Sequence, residues 1–188
     1  MRQFGFYRTS EEKSLLQQVC SWVVDILVVA ALAIFLVSLF LNLRTVSGRS
    51  MEPALNPGEK VMMSRLSPDL VPYRRFEVVE FTYGENASRT SLKRIIGLPG
   101  ERVQILDGKV YINEKELVDG PFQERPVTIA GLAENEVQLG EKEYFLMGDN
   151  AGSSEDSRFT DIGNVSEDQI TGRLWLRVSP AEQFGMIR

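Results

Sequence analysis

The chain has 188 residues, 43% of them hydrophobic, and a formal net charge of −5, which fits one folded domain of ordinary composition with an appendage. Because this acidic chain has no cluster of basic residues for neutralising phosphates, we expect no nucleic-acid partner. The absence of histidine and the presence of only one cysteine, Cys20, exclude a Ser-His-Asp triad, a Cys-His dyad, an imidazole-based zinc site and a disulfide framework.

The first element is an apolar run over residues 22–43, interrupted only by Asp25, Ser38 and Asn42. About 20 helical residues cross the ~30 Å hydrocarbon core of a bilayer, so the run predicts one transmembrane helix with Asp25 in its first turn. A cleavable signal peptide would have a shorter head and apolar core. A core helix that is apolar on every face would need a larger domain around it. Basic residues flank the run on both sides, so charge alone does not orient the helix.

Beyond the run, short β-branched and aromatic segments alternate with Gly, Pro and Asn, a pattern that predicts strands and turns. The clearest case is residues 101–113, where Val103 and Ile105 alternate before an Asp-Gly pair and two more apolar residues alternate after it. That pair suits a two-residue type I′ turn, so the segment predicts a hairpin. Further strands are predicted at 60–64, 77–83, 91–96, 143–147 and 170–178. The fold class is therefore mostly β: a single N-terminal transmembrane helix followed by an antiparallel β-sheet domain.

Three polar motifs accompany these strands. They read S-G-R-S-M-E-P-A-L over residues 47–55, S-L-K-R-I-I-G-L-P-G-E over residues 91–101, and G-D-N-A-G-S-S-E-D-S-R over residues 148–158. Taken singly, each is typical of an ordinary feature, namely a turn serine, a solvated surface lysine and a polar turn. Their occurrence together behind one apolar segment favours a catalytic site.

The three motifs resemble those of bacterial type I signal peptidases, and the resemblance covers the apolar run and nearly all of the chain beyond it. In that family the first motif carries a nucleophilic serine, the second carries a lysine base, and the third supports the lysine. The resemblance assigns these roles to Ser50, to Lys93, and to Ser154, Asp156 and Arg158. Since the carboxylates show no catalytic metal arrangement, we expect no metal or other cofactor.

Two positions depart from the family pattern. Ala54 stands where the family usually has threonine after the proline. Gly48 stands where some members carry a serine whose hydroxyl helps to bind the oxyanion, and it resembles the glycine-bearing branch typical of Gram-positive bacteria. The second oxyanion donor, beside the backbone N–H of Ser50, must then be another backbone N–H, which the sequence does not identify.

These residue types suit amide hydrolysis because a neutral amine can take the proton of an attacking hydroxyl and return it to the leaving group. A free lysine has a pKa near ~10.4, but desolvation lowers it, and the apolar residues Ile95, Ile96 and Leu98 predict a dry setting for Lys93. Ser154 is expected to hydrogen-bond and orient the Lys93 amine. Asp156 and Arg158 are expected to pair with each other and hold the loop.

The position of Ser50, 7 residues beyond Leu43, suits cleavage just outside a membrane-inserted apolar segment. The resemblance implies that the substrates are secretory preproteins, cut after small residues of the A-x-A kind, and that the catalytic domain lies outside the cytoplasmic membrane. The partners are thus preproteins and the lipid bilayer, and the oligomeric state is not indicated. The predicted division is a cytoplasmic segment 1–21, a transmembrane helix 22–43, and an extracytoplasmic catalytic domain 44–188 with core 44–99 and 143–188 and a small insert 100–142.

Three other interpretations fit the sequence less well. The self-cleaving repressors are similar in their Ser/Lys chemistry but need a DNA-binding helical module, whereas this N-terminus is apolar. An anchored β domain without activity, serving as a binding or assembly factor, is disfavoured by the intact Ser50, Lys93, Ser154 and Asp156, although Gly48 and Ala54 depart from the pattern. Sporulation and archaeal-type signal peptidases resemble this pattern with histidine in place of the lysine base.

Overall fold

A computed structural model describes residues 15–66 and 68–187. Its contacts divide the chain into one unit that ends at Leu39 and a second unit from Phe40 onward. The first unit consists, in its described part, of helix α1 (Leu15–Phe40). Residues Leu15–Phe35 are long and apolar enough to cross a membrane. Of the predicted cytoplasmic segment 1–21, residues 1–14 lie outside the described residues.

The bounds of α1 differ from the predicted 22–43 at both ends. Helix-forming Leu and Gln residues carry the helix back to at least Leu15. Asp25 therefore lies well inside the helix and not in its first turn, contrary to the sequence prediction. At the other end, residues 41–43 are not helical, because they form a strand that pairs with Met62–Ser64. An apolar run does not by itself distinguish these two conformations.

In its described residues the second unit contains twelve strands: β1 (Leu41–Thr45), β2 (Lys60–Ser64), β3 (Val78–Tyr83), β4 (Arg89–Gly97), β5 (Arg102–Leu106), β6 (Lys109–Ile112), β7 (Lys115–Glu116), β8 (Val137–Gln138), β9 (Glu143–Met147), β10 (Val165–Ser166), β11 (Ile170–Ser179) and β12 (Gly185–Met186). All described pairings are antiparallel, so the predicted mostly β fold class is confirmed. The larger sheet has the order β1-β2-β11-β3-β4-β9-β10, with β12 also paired to β11. The smaller sheet has the order β7-β6-β5-β8.

The strand predictions are confirmed in position. The structure matches 60–64 and 143–147 residue for residue, and the other three predicted strands differ by no more than two residues at either end. The predicted hairpin is also present, with Val103 opposite Ile112 and Ile105 opposite Val110. The φ angles of its turn residues are 50° at Asp107 and 78° at Gly108. Positive φ at both turn residues is what a type I′ turn requires.

Buried apolar side chains form three clusters. One lies against the smaller sheet and includes Val103, Ile105 and Phe145. The second includes Val79, Phe81 and Ile95, and the third includes Met51 and Leu55. Successive residues of one strand thus enter different clusters, because side chains alternate across a sheet and both faces of the larger sheet are covered.

A fully buried ion pair stabilises the loop between β9 and β10. The Arg158 Nε lies 2.8 Å from an Asp156 carboxylate oxygen, and neither side chain has measurable exposure. The same guanidinium donates to the carbonyl oxygens of Ile129 and Ala151, at 2.8 and 2.7 Å. Arg158 therefore joins the 148–158 loop to the segment before β8.

We predict that Arg158→Leu lowers the free energy of unfolding by about 3–5 kcal/mol, because it leaves the Asp156 carboxylate buried without a counter-charge. Urea unfolding of the full chain in detergent micelles, followed by tryptophan fluorescence, measures the change. The matched control is Arg102→Leu, since Arg102 pairs with Glu114 and Glu136 at the surface and exposed pairs contribute at most about 1 kcal/mol. Equal transition midpoints for the two variants would contradict the prediction.

Candidate active site

Ser50 lies at the start of a turn that two buried side chains hold in place. Met51 and Leu55, which follow it, have 1% and 0% of their surface exposed. The backbone N–H of Leu55 donates to the Met51 carbonyl at 2.8 Å, which closes one helical turn. Ser50 itself is only partly buried. The local sequence thus anchors the backbone that follows a hydroxyl which solvent still reaches.

Lys93 lies in the middle of β4, between strands β3 and β9. Its amine nitrogen Nζ is 3.0 Å from Ser50 Oγ and 2.7 Å from Ser91 Oγ. Ser91 shares a face of the strand with Lys93 because it is two residues away, whereas Arg94 points to the opposite face. The lysine is 2% exposed. The structure therefore brings the predicted serine and lysine into hydrogen-bond contact.

Burial lowers the pKa of Lys93 from 10.5 to about 8, because desolvation disfavours the ammonium form. The carboxylates of Asp156 and Glu155 raise this pKa, and Arg158 lowers it further. Desolvation is the largest of these effects. A substantial fraction of the amine is therefore neutral slightly above neutral pH, as a proton acceptor must be.

The third motif contacts the backbone on either side of Ser50. The Asn150 backbone N–H donates to the Ser50 carbonyl at 3.0 Å, and its side-chain amide donates to the Arg49 carbonyl at 3.2 Å. A Cβ at Gly148 would lie 2.5 Å from the same Ser50 oxygen and 2.3 Å from Ser154 Oγ. Only glycine permits this close approach. The sequence did not indicate this role of Asn150. Asn150 and Arg49 are 101 positions apart in the chain, and only folding brings them together.

Arg94 and Asp149 fix the second and third motifs to each other. The Arg94 guanidinium makes two hydrogen bonds to the Asp149 carboxylate, of 2.7 and 2.5 Å, and both side chains are buried. The same guanidinium donates to the Phe76 carbonyl at 2.7 Å. Paired strands β4 and β9 bring these residues together, with Arg94 opposite Met147. The second and third motifs contain Arg94 and Asp149, but the sequence did not indicate that the two side chains pair.

Ser154 does not make the hydrogen bond to Lys93 that the resemblance implies. Its Oγ is buried and has no hydrogen-bond partner among the described residues. The side chain lies beside Gly148. The Lys93 amine is instead bonded to Ser91, which the sequence analysis did not name. The period-2 alternation of β4, in which Ser91 and Lys93 share one face, is the sequence signal that identifies Ser91.

The other named residues surround the pair without touching its reacting atoms. Asp156 accepts hydrogen bonds from the Gly148 backbone N–H, at 3.1 Å, and from Arg158. Asp156 and Arg158 thus form the predicted loop-holding pair. Gly48 is exposed at φ 84°, and a Cβ there would meet nothing within 4 Å. The carbonyl of Ala54 accepts a hydrogen bond from Arg177.

A cleft of about 290 Å³ lies beside Ser91, the hydrogen-bond partner of Lys93. Its wall includes Ser91, and its lining is mainly polar: Leu43, Arg44, Thr45, Ser47, Glu80, Thr90, Ser91 and Leu92. β1, which contributes three of these residues, is an edge strand of the larger sheet. A larger cavity of about 820 Å³ is lined by Arg94 and Asp149. Neither lining includes Ser50 or Lys93, but Ser91, which hydrogen-bonds the Lys93 amine, lines the smaller cleft.

The described residues bring a serine hydroxyl and a buried amine together, but they hold no cluster of possible metal ligands. In residues 15–66 and 68–187, no group of three His, Cys, Asp or Glu side chains is placed to hold a metal ion. A serine hydroxyl next to a buried amine of lowered pKa is sufficient for acyl transfer by covalent catalysis. The chemistry that this site supports is therefore hydrolysis of an acyl bond.

Comparison with known proteins identifies the family. The family model described as signal peptidase, peptidase S26 matches residues 19–179. A signal peptidase I of Bacillus caldolyticus is 35% identical over 87% of this chain and 91% of its own, and signal peptidase IB of Staphylococcus aureus strain COL is 29% identical over 89% and 93%. A crystal structure of a signal peptidase I from Enterococcus faecalis aligns at 27% identity over 54% of this chain and 96% of its own, with a TM-score of 0.43. The chain therefore belongs to the signal peptidase family, peptidase S26, and is similar to its members from Gram-positive bacteria.

Proposed function

We propose that this protein is a signal peptidase I that cleaves preproteins with a Ser50–Lys93 dyad. The observation that carries the proposal is the 3.0 Å separation of Lys93 Nζ and Ser50 Oγ, with the lysine buried. Burial lowers the Lys93 pKa to about 8. An exposed lysine would remain an ammonium ion near pH 8 and could not accept a proton.

In the proposed reaction, Ser50 Oγ attacks the scissile carbonyl while its proton passes to the neutral Lys93 amine. The tetrahedral intermediate carries an oxyanion, and the Ser50 backbone N–H is one of its donors. The Lys93 ammonium then protonates the leaving amine, which releases the mature protein and leaves the signal peptide as an ester on Ser50. Lys93 next deprotonates a water molecule that hydrolyses this ester.

We further propose that the cleavage site is an extended segment ending in small residues, bound in the 290 Å³ cleft. Edge strand β1 lines that cleft, and an edge strand can pair with an extended peptide through backbone hydrogen bonds. Secretory cleavage sites end in small residues of the A-x-A kind, whose side chains need little space. Cleavage of exported preproteins requires the catalytic domain on the outer side of the cytoplasmic membrane, with α1 as the anchor and the N-terminus in the cytoplasm.

An inert anchored binding domain is the competing function. It would have no need for a buried lysine, because burying an ammonium group without a counter-charge destabilises a fold. The Lys93 amine has two hydroxyl partners and no carboxylate in hydrogen-bond contact among the described residues. Such an arrangement favours a catalytic lysine over a structural one.

We predict that Lys93→Arg abolishes preprotein cleavage. A guanidinium keeps its proton because its pKa is above ~12, so it cannot accept the proton of Ser50. The assay mixes the full chain in detergent micelles with a preprotein, beside Ser50→Ala as the inactive reference. Thermal unfolding of each variant shows whether the fold persists. Substantial cleavage by a folded Lys93→Arg protein would rule out the dyad, and equal inertness of wild type and Ser50→Ala would favour the binding domain.

We predict that the wild-type kcat/KM rises with pH along a single deprotonation near pH 8, the pKa of Lys93. Only the neutral amine is competent, so the rate should be about tenfold lower at pH 7 than on the plateau. Two preproteins with different charges should give the same midpoint, which separates enzyme from substrate titration. A rate that is flat between pH 6 and 9, or that falls as the pH rises, would contradict a lysine base.

We predict that protease added to intact spheroplasts digests the catalytic domain from residue 44 onward. The measurement is an immunoblot against the C-terminus before and after protease treatment, with a cytoplasmic protein as the control for lysis. Protection of the domain in intact spheroplasts, with digestion only after lysis, would reverse the proposed orientation.

A further inference from the structure

Proton transfer from Ser50 needs the lone pair of the Lys93 amine to point at Ser50 Oγ. A neutral amine has two N–H bonds and one lone pair, and rotation about Cε–Nζ interchanges them among three staggered positions. Only one rotamer in three directs the lone pair at the hydroxyl. A second hydrogen-bond acceptor, fixed relative to Ser50, disfavours the rotamer whose lone pair points at that acceptor and so raises the population of the productive one.

The Lys93 amine has one such acceptor besides Ser50 among the described residues. Ser91 Oγ lies 2.7 Å from Nζ, closer than Ser50 Oγ at 3.0 Å. The Ser91 side chain has a single rotatable bond to its oxygen, and its backbone is held in β4 by pairing with Phe81 of β3. Phe81 is fully buried. The position of the Ser91 hydroxyl is therefore set by the sheet and not by a flexible loop.

Ser154, to which the family resemblance gives the orienting role, makes no hydrogen bond to the amine in the described residues. We propose that Ser91 is the positioning residue for Lys93: its Oγ accepts one amine N–H and so directs the lone pair at Ser50. This inference rests on the proposed function, and it adds a residue to the Ser50–Lys93 pair. Ser91 does not exchange a proton with the substrate, so it is not itself catalytic.

Ser91 also affects the protonation of the amine. A hydroxyl oxygen stabilises an ammonium donor more than a neutral one, so Ser91 opposes part of the desolvation that lowers the Lys93 pKa. The charged groups that act on the amine, Asp156, Glu155 and Arg158, are unchanged when the Ser91 hydroxyl is removed. Ser91→Ala should therefore lower the Lys93 pKa further while it lowers the plateau rate. A purely structural defect does not produce this combination.

Because Ser91 lines the cleft, a role in substrate contact is the alternative. It is distinguished by kinetics: loss of positioning lowers kcat, whereas loss of a substrate contact raises KM. Ser91→Thr keeps the hydroxyl on a residue suited to a strand and should restore most of the activity. The matched control is Thr82→Ala, which deletes a strand hydroxyl that hydrogen-bonds the Gln169 carbonyl at 3.3 Å.

The experiment compares the full-length wild type with Ser91→Ala, Ser91→Thr, Ser154→Ala and Thr82→Ala in detergent micelles. For Ser91→Ala we expect kcat to fall about tenfold with KM nearly unchanged, the size expected for one lost orienting hydrogen bond. The acidic limb of its pH profile should move to lower pH. Ser91→Thr should recover kcat to within a few-fold, and Thr82→Ala should match the wild type.

A second measurement does not depend on cleavage. NMR titration of 13C-labelled lysine, assigned by comparison with Lys93→Arg, follows the Lys93 amine directly. Its midpoint should fall in Ser91→Ala and stay unchanged in Thr82→Ala, whether or not the chosen preprotein is cut. An inactive wild type with this shift would overturn the proposed function but not the Ser91–Lys93 contact.

Three results would overturn the positioning role. The first is a Ser91→Ala protein with wild-type kcat and an unshifted Lys93 midpoint. The second is a rise in KM at constant kcat, which would make Ser91 a substrate contact. The third is a loss of kcat and a shifted limb in Ser154→Ala but not in Ser91→Ala, which would return the role to Ser154.

Discussion

The burial of one amine is the constraint on which the site depends. Lys93 can act as a base only if water is kept from it, because desolvation is the largest cause of its lowered pKa. The lysine is carried by a strand between two other strands, where neighbouring backbone and side chains cover it. A lysine on a loop at the surface would keep its ordinary pKa. The antiparallel sheet is thus the means of lowering the pKa as well as the support for the chemistry.

Burial of Lys93 is compatible with folding because the buried carboxylates near it have arginine partners. Asp149 pairs with Arg94 on the other face of β4, and Asp156 pairs with Arg158 in the loop beyond β9. Each buried carboxylate thus has its own guanidinium, and none of them contacts the amine directly. A free carboxylate at hydrogen-bond distance would hold Lys93 as an ammonium ion. The two ion pairs therefore stabilise the loop and leave the amine free to lose its proton.

The motif around residues 148–158 serves the backbone more than the reacting atoms. Asn150 holds the carbonyls of Arg49 and Ser50, and Gly148 allows that approach by having no side chain. Together with the buried Met51 and Leu55, these contacts fix the serine from both sides. The hydroxyl nearest the amine, that of Ser91, comes from the same strand as the lysine. In this chain, loop contacts fix Ser50, the proposed nucleophile, while strand contacts fix Lys93, the proposed base.

The fold class, the main strand positions and the Asp107-Gly108 hairpin could be predicted from the sequence, because period-2 patterning and turn chemistry are local properties. Ser50 and Lys93 were indicated as candidates by the resemblance of the three motifs to those of a known family. The strand at residues 41–43 could not be predicted, because it depends on pairing with β2 in the folded chain. The same holds for the hydrogen bond of the Lys93 amine that, among the described residues, goes to Ser91 and not to Ser154. Hydrogen-bond partners depend on distances of tenths of an ångström between segments far apart in the chain, and motif spacing does not specify such distances.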